Sequence, residues 1–531
     1  MRGDLEWGSI PRLVRYAAGR YAGGEAVVDG RQRISYAELG ERVERAAAAC
    51  IAAGVEPGDR VAVWAPNTAD WISAALGAVC AGGVLVPLNT RFKGTEAAYV
   101  LARTRARLLF VTGTFLGTSY VASLRRARAE RELPDLEQVV VLSDTAPEGY
   151  RTWKDFLAGG DTVTGEAVRE RGEAVRPGDL SDIVFTSGTT GRPKGAMLTH
   201  GNLEANALNM LTAGEGMLPS DITLTVAPLF HIGGLALFTL PLLYAGGTVV
   251  VAGKFDPRQT LELIQREKVT VHFMVPAMWA AMTQVPDFDS YDLSRLRYLL
   301  CGGAPCPLPV IEFYEGKGLT FVEGFGMTEL SPAALVLESA FVRSHAGSVG
   351  RPFLHVEARI VDERDDDVPI GTVGELVLRG PNVFAGYWGL PEASAETLRG
   401  GWFHSGDLAR SDADGFVTLV DRKKDMIISG GENVYPIEVE QVLHRHPDIA
   451  DVAVIGVPDS QWGETVVAVV VPTGESLDGD AVIAYCRERI AAFKCPRRVE
   501  VVAELPRNAT GKLLKRELRA QYAGSAGSVT R

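Results

Sequence analysis

Ten consecutive residues, Thr186-Ser187-Gly188-Thr189-Thr190-Gly191-Arg192-Pro193-Lys194-Gly195, are dominated by hydroxyls, glycines and cations. Backbone N–H groups released by Gly188, Gly191 and Gly195 can converge on an anion, and the hydroxyls of Thr186, Ser187, Thr189 and Thr190 with the Lys194 ammonium add donors around it. The chemistry such a loop serves is the holding of a polyphosphate. It is not a Walker A loop, because Pro193 stands five residues beyond Gly188 and no Gly-Lys-Ser/Thr follows; nor is it a dinucleotide fingerprint. Taken alone, the same composition also makes an ordinary surface loop.

Elements of defined period must carry such a loop. Ile183-Val184-Phe185 reads as a buried strand before it, and Gly195-Ala196-Met197-Leu198 leads toward a helix opening near His200. Short β-rich runs, among them Arg60–Trp64, Leu108–Val111 and Gln138–Leu142, alternate with segments of helical period, which predicts wound α/β sheets with crossover helices. From Gly374 onward, short alternating strands predict a smaller β-rich subdomain. The charged run Asp421-Arg422-Lys423-Lys424-Asp425 marks a boundary, after which a compact α+β pattern follows: a helix near Pro436–His444, strands Val452–Val457 and Thr465–Val471, and a helix Asp480–Ala492. The expected organisation is therefore an α/β chain with a large N-terminal domain over 1–421, a hinge over 422–425 and a small mobile C-terminal α+β domain over 426–531.

With 531 residues the chain has ample length for large cores, roughly three to four domains or subdomains. Lys plus Arg total 54 against 66 Asp plus Glu, a formal charge of −12 that argues against a general nucleic-acid role. Six scattered cysteines show no zinc spacing and read as reduced thiols of a cytoplasmic protein. The start, Met1-Arg2-Gly3-Asp4-Leu5-Glu6, lacks the apolar core of a signal peptide. Two long uncharged stretches, 71–89 and 222–253, are broken by Gly and Pro into helix–turn–strand units, so no membrane span is expected. Oligomeric state is not legible, although a homodimer is compatible with the sequence.

The phosphate-type loop resembles that of the adenylate-forming superfamily, which comprises acyl-CoA synthetases, the adenylation domains of peptide synthetases and luciferases. Further segments match that family in order along most of the chain. They are Pro228-Leu229-Phe230-His231, Cys301-Gly302-Gly303-Ala304-Pro305, Glu323-Gly324-Phe325-Gly326-Met327-Thr328-Glu329, Trp402-Phe403-His404-Ser405-Gly406-Asp407, the charged hinge run, and Pro506-Arg507-Asn508-Ala509-Thr510-Gly511-Lys512. The overall look is similar to bacterial fatty-acyl-CoA and coumarate-type ligases.

The resemblance implies a role for each segment, and the residue types suit those roles. Gly302, Gly303 and Ala304 lack bulk, so backbone can approach a flat purine, with Glu323, Gly324, Phe325 and Gly326 beside it and the Phe325 ring to pack on the base. Asp407 can accept from two vicinal ribose hydroxyls and Arg422 can donate to the same sugar. Thr328 suits the α-phosphate, and Glu329 with Thr186 suits Mg²⁺. Lys194 and Lys512 neutralise charge on ATP, and Lys424 is the implied pivot. After rotation the loop containing Ser429, Gly430 and Gly431 would line the CoA channel.

The implied chemistry has two steps. A substrate carboxylate, already ionised at neutral pH, attacks the α-phosphorus of ATP without needing a general base, and a thiol then displaces AMP from the acyl-adenylate. The acyl pocket would be formed by His231, Gly233, Gly234 and Met327. His231 stands where amino-acid-activating relatives resemble one another in carrying an aspartate, which speaks against an amino-acid substrate. Residues 330–337 carry no cation for a second carboxylate. An apolar monocarboxylic acid is expected, with a fatty acid first and an aryl or alicyclic acid second. CoA is expected as acceptor ahead of a carrier protein, because no carrier domain is attached.

Overall fold

The protein is described by a computed structural model covering residues 8–186, 193–212, 216–304, 306–459, 461–474, 477–508 and 512–523. It is an α/β chain, with a large N-terminal domain of mixed sheets and a small C-terminal domain.

Two large sheets dominate the N-terminal part. In the first, the strands Phe321–Gly326, Tyr298–Cys301, Val271–Met274, Ile222–Thr225, Thr248–Val251 and Glu25–Asp29 run parallel as neighbours, with antiparallel strands added at both edges. In the second, Leu180–Thr186, Val84–Pro87, Arg60–Trp64, Leu108–Val111 and Gln138–Val141 are parallel, and Lys194–Thr199 is paired antiparallel along Leu180–Thr186. The Val/Leu/Ile-rich strands are buried, as expected of parallel strands covered by helices.

Helices whose starts are fixed by side-chain caps fill the space around the sheets. Thr68 Oγ1 accepts from Trp71 N at 3.0 Å at the head of the buried helix Ala69–Cys80, and Asp256 accepts from Gln259 N at the head of Pro257–Glu267. The suspect stretch 71–89 is therefore a buried helix, a Gly82-Gly83 turn and a strand. No helix among the described residues is long and apolar enough to cross a membrane. All six cysteines are buried and free.

The β-rich subdomain is a four-stranded antiparallel sheet, Glu357–Val361, Gly374–Arg379, Phe403–Ser411 and Val417–Arg422. The C-terminal part has its own sheet. There Glu432–Val434, Ile427–Ser429, Gly463–Pro472 and Ile449–Asp459 are antiparallel neighbours, and Arg498–Val501 joins parallel to Gly463–Pro472.

Three expectations shift. The segment after the phosphate-type loop is a strand, Lys194–Thr199, before the helix His200–Thr212 begins, because alternating Ala196 and Leu198 bury one face while the backbone pairs with Leu180–Thr186. Asp421 and Arg422 belong to the strand Val417–Arg422, so the charged run starts inside a sheet and turns only at 423–425. The last long helix is Gly479–Arg487, shorter than its apolar pattern suggests, followed by a short 3₁₀ turn Ala492–Lys494.

Candidate active site

In open α/β sheets, side chains and backbone at the carboxyl ends of parallel strands form the natural ligand crevice. Four segments singled out by sequence leave such ends. Thr186 closes Leu180–Thr186; 228–231 follows Ile222–Thr225; Gly302, Gly303 and Ala304 follow Tyr298–Cys301; and Met327, Thr328 and Glu329 follow Phe321–Gly326. Of the loop itself, Ser187, Gly188, Thr189, Thr190 and Gly191 lie outside the described residues. Its two ends are paired: Thr186 is in register with Lys194, and the Thr186 hydroxyl donates to Lys194 O at 3.5 Å.

Glu329 is buried in the short 3₁₀ turn Thr328–Leu330, whose first residue, Thr328, is also buried. The turn is reached by a tight reversal in which Met327, half-buried, donates its N–H to Pro332 O at 2.9 Å. Gly326 is required there, since a Cβ would stand 2.1 Å from Pro332 O. One Glu329 oxygen, Oε1, accepts from the Tyr387 hydroxyl at 2.9 Å, and the Tyr387 ring lies 5.0 Å from Lys194 Nζ. Tyr387 brings these two residues together, and nothing around it in sequence marked it out.

The nucleotide-type segments are adjacent. Cys301 pairs with Glu323, so Gly302 and Gly324 sit side by side, with Gly303 and Ala304 exposed beyond them. Glu323 is pushed up to about 7 by burial, opposed by hydrogen bonds from the backbone of Cys306 and Gly347. Its carboxyl therefore braces the loop after Ala304. Phe325 is largely packed into the main core and pairs with Leu335, leaving 8% of its surface accessible.

Asp407 and Arg422 are register partners on adjacent strands and form an ion pair at 3.0 Å between Oδ1 and Nε. Asp407 Oδ2 is buried and has no hydrogen-bond partner among the described residues, an acceptor suited to a ligand hydroxyl. Glu375, also missed by sequence reading, holds this corner: its Oε1 accepts from Gly406 N at 3.2 Å and its Oε2 lies 3.4 Å from Lys423 Nζ.

Lys512 reaches the same corner from the C-terminal part. Its backbone is tied to Asn508 by N–H to Oδ1 at 2.8 Å and by Asn508 N to its own carbonyl at 2.9 Å. The half-buried Lys512 ammonium is pushed down to about 8 by burial and then by Arg422, against the opposing pull of Asp407. Lys424, at the turn, is also held below the usual lysine range, chiefly by burial. His231 is pushed down to about 4 by burial and by Lys512, so its imidazole is neutral at pH 7. Its Nδ1 accepts from Gly233 N at 3.1 Å, which assigns the proton to Nε2.

Around His231, the residues 233–239 form a buried π-helix that includes Gly233 and Gly234. Two buried asparagines hold it and the turn that precedes it. Asn67 accepts from Leu229 N at 2.7 Å and donates to Ala227 O, and Asn206 donates to Ala236 O at 2.6 Å while accepting from Ala333 N at 3.1 Å. Phe273 completes the wall, because a Cβ on Gly233 would lie 3.3 Å from its ring and one on Gly302 would lie 3.7 Å from it.

The CoA-type loop is a hairpin between Ile427–Ser429 and Glu432–Val434. Gly430 and Gly431 both take positive φ, 63° and 84°, as a two-residue hairpin turn of this type demands. Gly430 N donates to Trp462 O at 2.8 Å, and Ser429 pairs with Gly463, so the loop rests on its own sheet.

The sequence pattern of AMP-binding enzymes matches residues 14–388, and that of the AMP-binding enzyme C-terminal domain matches 438–512. The chain belongs to the AMP-binding enzyme family. A feruloyl-CoA synthase from an Amycolatopsis species is 44% identical over 498 residues, covering 94% of this chain and 96% of that one. A 3-[(3aS,4S,7aS)-7a-methyl-1,5-dioxo-octahydro-1H-inden-4-yl]propanoyl:CoA ligase from Rhodococcus jostii is 40% identical over 519 residues, covering 97% and 98%. Among solved structures, an anthranilate CoA ligase in complex with anthranoyl-AMP superposes with a TM-score of 0.87 at 28% identity, covering 98% of both chains.

This AMP-binding enzyme is thus an ATP-dependent acyl-CoA ligase of the adenylate-forming type, with a carboxylic acid, ATP and CoA as substrates. Its residues also fit a magnesium ion. Mg²⁺ takes one or two carboxylates and leaves further positions to substrate phosphates. Glu329 offers one buried hard carboxylate and Thr186 a hydroxyl at the end of its strand, and no cluster of three His, Cys, Asp or Glu exists among the described residues.

Proposed function

We propose that this ligase activates a ring-bearing monocarboxylic acid, aryl or alicyclic, as its acyl-adenylate and then transfers the acyl group to CoA. The observation that carries the reading is Phe273, whose ring stands against both Gly233 and Gly302. On this reading the ring limits the depth of the acid pocket, and the two glycines add no side-chain bulk beside it. A compact ring fits that shape better than an extended fatty chain, which would have to pass Phe273. The relatives named for feruloyl and indenyl-propanoyl acids support the same order, putting the ring acid ahead of the fatty acid that sequence alone favoured.

In the first step the carboxylate oxygen bonds to the α-phosphorus as the bond to the pyrophosphate oxygen breaks. Lys194 and Lys512 offset the charge that builds there, Thr328 donates to the α-phosphate, and the neutral His231 offers Nε2–H to the acid. Asp407 and Arg422 hold the ribose, and Gly302 through Ala304 with Glu323 through Gly326 frame the base. Glu329 and Thr186 would hold Mg²⁺, which supplies charge neutralisation to the phosphates. The 1–421 and 426–531 parts turn about Lys424 for the second step, bringing Ser429, Gly430 and Gly431 toward the pantetheine. Six buried, free cysteines suit a cytoplasmic setting.

Pyrophosphate release measured with cinnamate-type, alicyclic-propanoate and straight-chain C6–C16 acids tests the reading. Ring acids are expected to give the highest kcat/KM, and Phe273→Ala is expected to shift preference toward longer chains by about tenfold, the scale of a few buried methylenes. Preference for C12–C16 acids by the unaltered enzyme would overturn it.

A further inference from the structure

We propose that Tyr387 is a positioning residue that sets the metal-binding carboxylate and the phosphate-binding ammonium in register through two different parts of one side chain. Its hydroxyl donates to Glu329 Oε1 at 2.9 Å, and its ring face carries Lys194 Nζ at 5.0 Å. Glu329 and Lys194 come from different sheets, on strand ends separated by 135 positions in number, Lys194 at 194 and Glu329 at 329. Between the strand bearing Lys194 and the turn bearing Glu329, the segment 384–388 is laced to both. Phe384 N donates to Glu329 O at 2.9 Å, Ala385 N to Met197 O at 2.9 Å, Met197 N to Gly386 O at 2.9 Å and Trp388 N to Gly195 O at 2.8 Å. Tyr387 itself bridges to Ala196, and its N–H donates to Ser394 Oγ at 2.8 Å. The side chain is thus fixed from its backbone outward, against Phe384 at 4.9 Å between ring centroids.

The two contacts do separate work. A phenol donating to Oε1 fixes the rotation of the Glu329 carboxylate, so the plane presented to a cation is set before the nucleotide arrives. The ring face steers the long, flexible Lys194 stem without using any of its N–H donors, which stay available to phosphate oxygens.

The inference rests on Glu329 holding the metal and Lys194 the phosphates, and the variants separate those assignments from the role of Tyr387. Tyr387→Phe keeps the ring and removes the hydroxyl, whereas Tyr387→Leu removes both, with Tyr387→Met replacing it if the Leu variant does not fold. Mn²⁺ affinity of the enzyme–ATP complex is read by paramagnetic resonance, pyrophosphate affinity by calorimetry, and Tm alongside. Tyr387→Phe is expected to weaken Mn²⁺ about tenfold, the scale of a hydrogen bond to a charged group, with pyrophosphate affinity near the unmodified value. Tyr387→Leu is expected to weaken pyrophosphate about threefold in addition, the scale of an exposed cation–π contact. Glu329→Gln is expected to weaken Mn²⁺ at least as much as Tyr387→Phe. Unchanged Mn²⁺ affinity in Tyr387→Phe beside a loss in Glu329→Gln overturns the role of Tyr387 alone. Unchanged affinity in both overturns it together with the metal assignment. Equal effects of Phe and Leu on both ligands overturn the division between hydroxyl and ring.

Discussion

Lys512 is a cation kept among cations. Burial first, and then the nearby Arg422 and Lys424 against the opposing pull of Asp407, hold its ammonium down at about 8 instead of the usual lysine value near 10.5. The charged form is the one that can offset a nucleotide's charge, and a depressed pKa means that this form is lost as pH rises through about 8. We therefore expect kcat/KM for ATP in adenylate formation, which reports the free enzyme, to fall above about pH 8. Lys512→Arg should keep activity above that limb, since a guanidinium remains charged. A profile flat to pH 10 in the unaltered enzyme would contradict the placement of Lys512. At this scale the contiguous motifs can be followed directly into the structure: Thr328 and Glu329 share one 3₁₀ turn, and Gly406 and Asp407 lie together on the strand Phe403–Ser411. Tyr387, Phe273 and Glu375 escaped sequence reading. Each acts through partners far along the chain, 58 positions from Tyr387 to Glu329 and 31 from Glu375 to Gly406, and a lone Tyr, Phe or Glu between ordinary neighbours has no local signature.

Among the elements, the buried π-helix 233–239 shows how an irregular segment is held. Its wider turns leave backbone groups poorly served by their own helix, and Asn206, fully buried, takes up Ala236 O while accepting from Ala333 N beyond the Glu329 turn. One side chain thereby ties the π-helix, proposed to wall the acid pocket, to the segment following Glu329, the proposed metal-binding carboxylate. Asn206→Ala leaves both groups buried and unpaired and is expected to cost about 1–3 kcal/mol in stability. It should also raise KM for the acid more than KM for ATP, as steady-state kinetics on the folded variant would report. A loss of stability with both KM values unchanged would reduce Asn206 to packing. Strand positions were well read from apolar runs, Arg60–Trp64 and Leu108–Val111 being found with the expected bounds. The π-helix was not, because Gly233-Gly234 followed by apolar residues reads equally as a turn or a buried helix, and the i→i+5 bond pattern depends on Asn206 and Thr239, whose hydroxyl donates to Gly234 O at 2.7 Å. The strand Lys194–Thr199 was overlooked for a related reason: its pairing partner lies across a loop, and six residues carry little periodicity of their own.

At the scale of the whole molecule, Lys512 of the C-terminal part lies close enough to Arg422, Asp407 and His231 for their charges to act on one another, while the hairpin bearing Gly430 and Gly431 rests on Trp462 and Gly463. On the proposed function, this is the arrangement that would serve adenylate formation. Asp421, at the end of the N-terminal sheet, supports it by accepting from Ile437 N at 3.1 Å at the head of the helix Pro436–Leu443. A sequence can mark a boundary by its charges, as at 421–425, but not how the parts on either side pack, since that follows from the sum of contacts between them. The central claim is that one lysine serves the first half-reaction and must leave for the second. Single-turnover measurement of Lys512→Ala tests it most directly. Adenylate formation from acid and ATP should fall by about a hundredfold or more, the scale of losing one preorganised charge partner at a developing anion. Thioester formation from supplied acyl-adenylate and CoA should stay near the unmodified rate. Equal loss of both half-reactions would contradict the account.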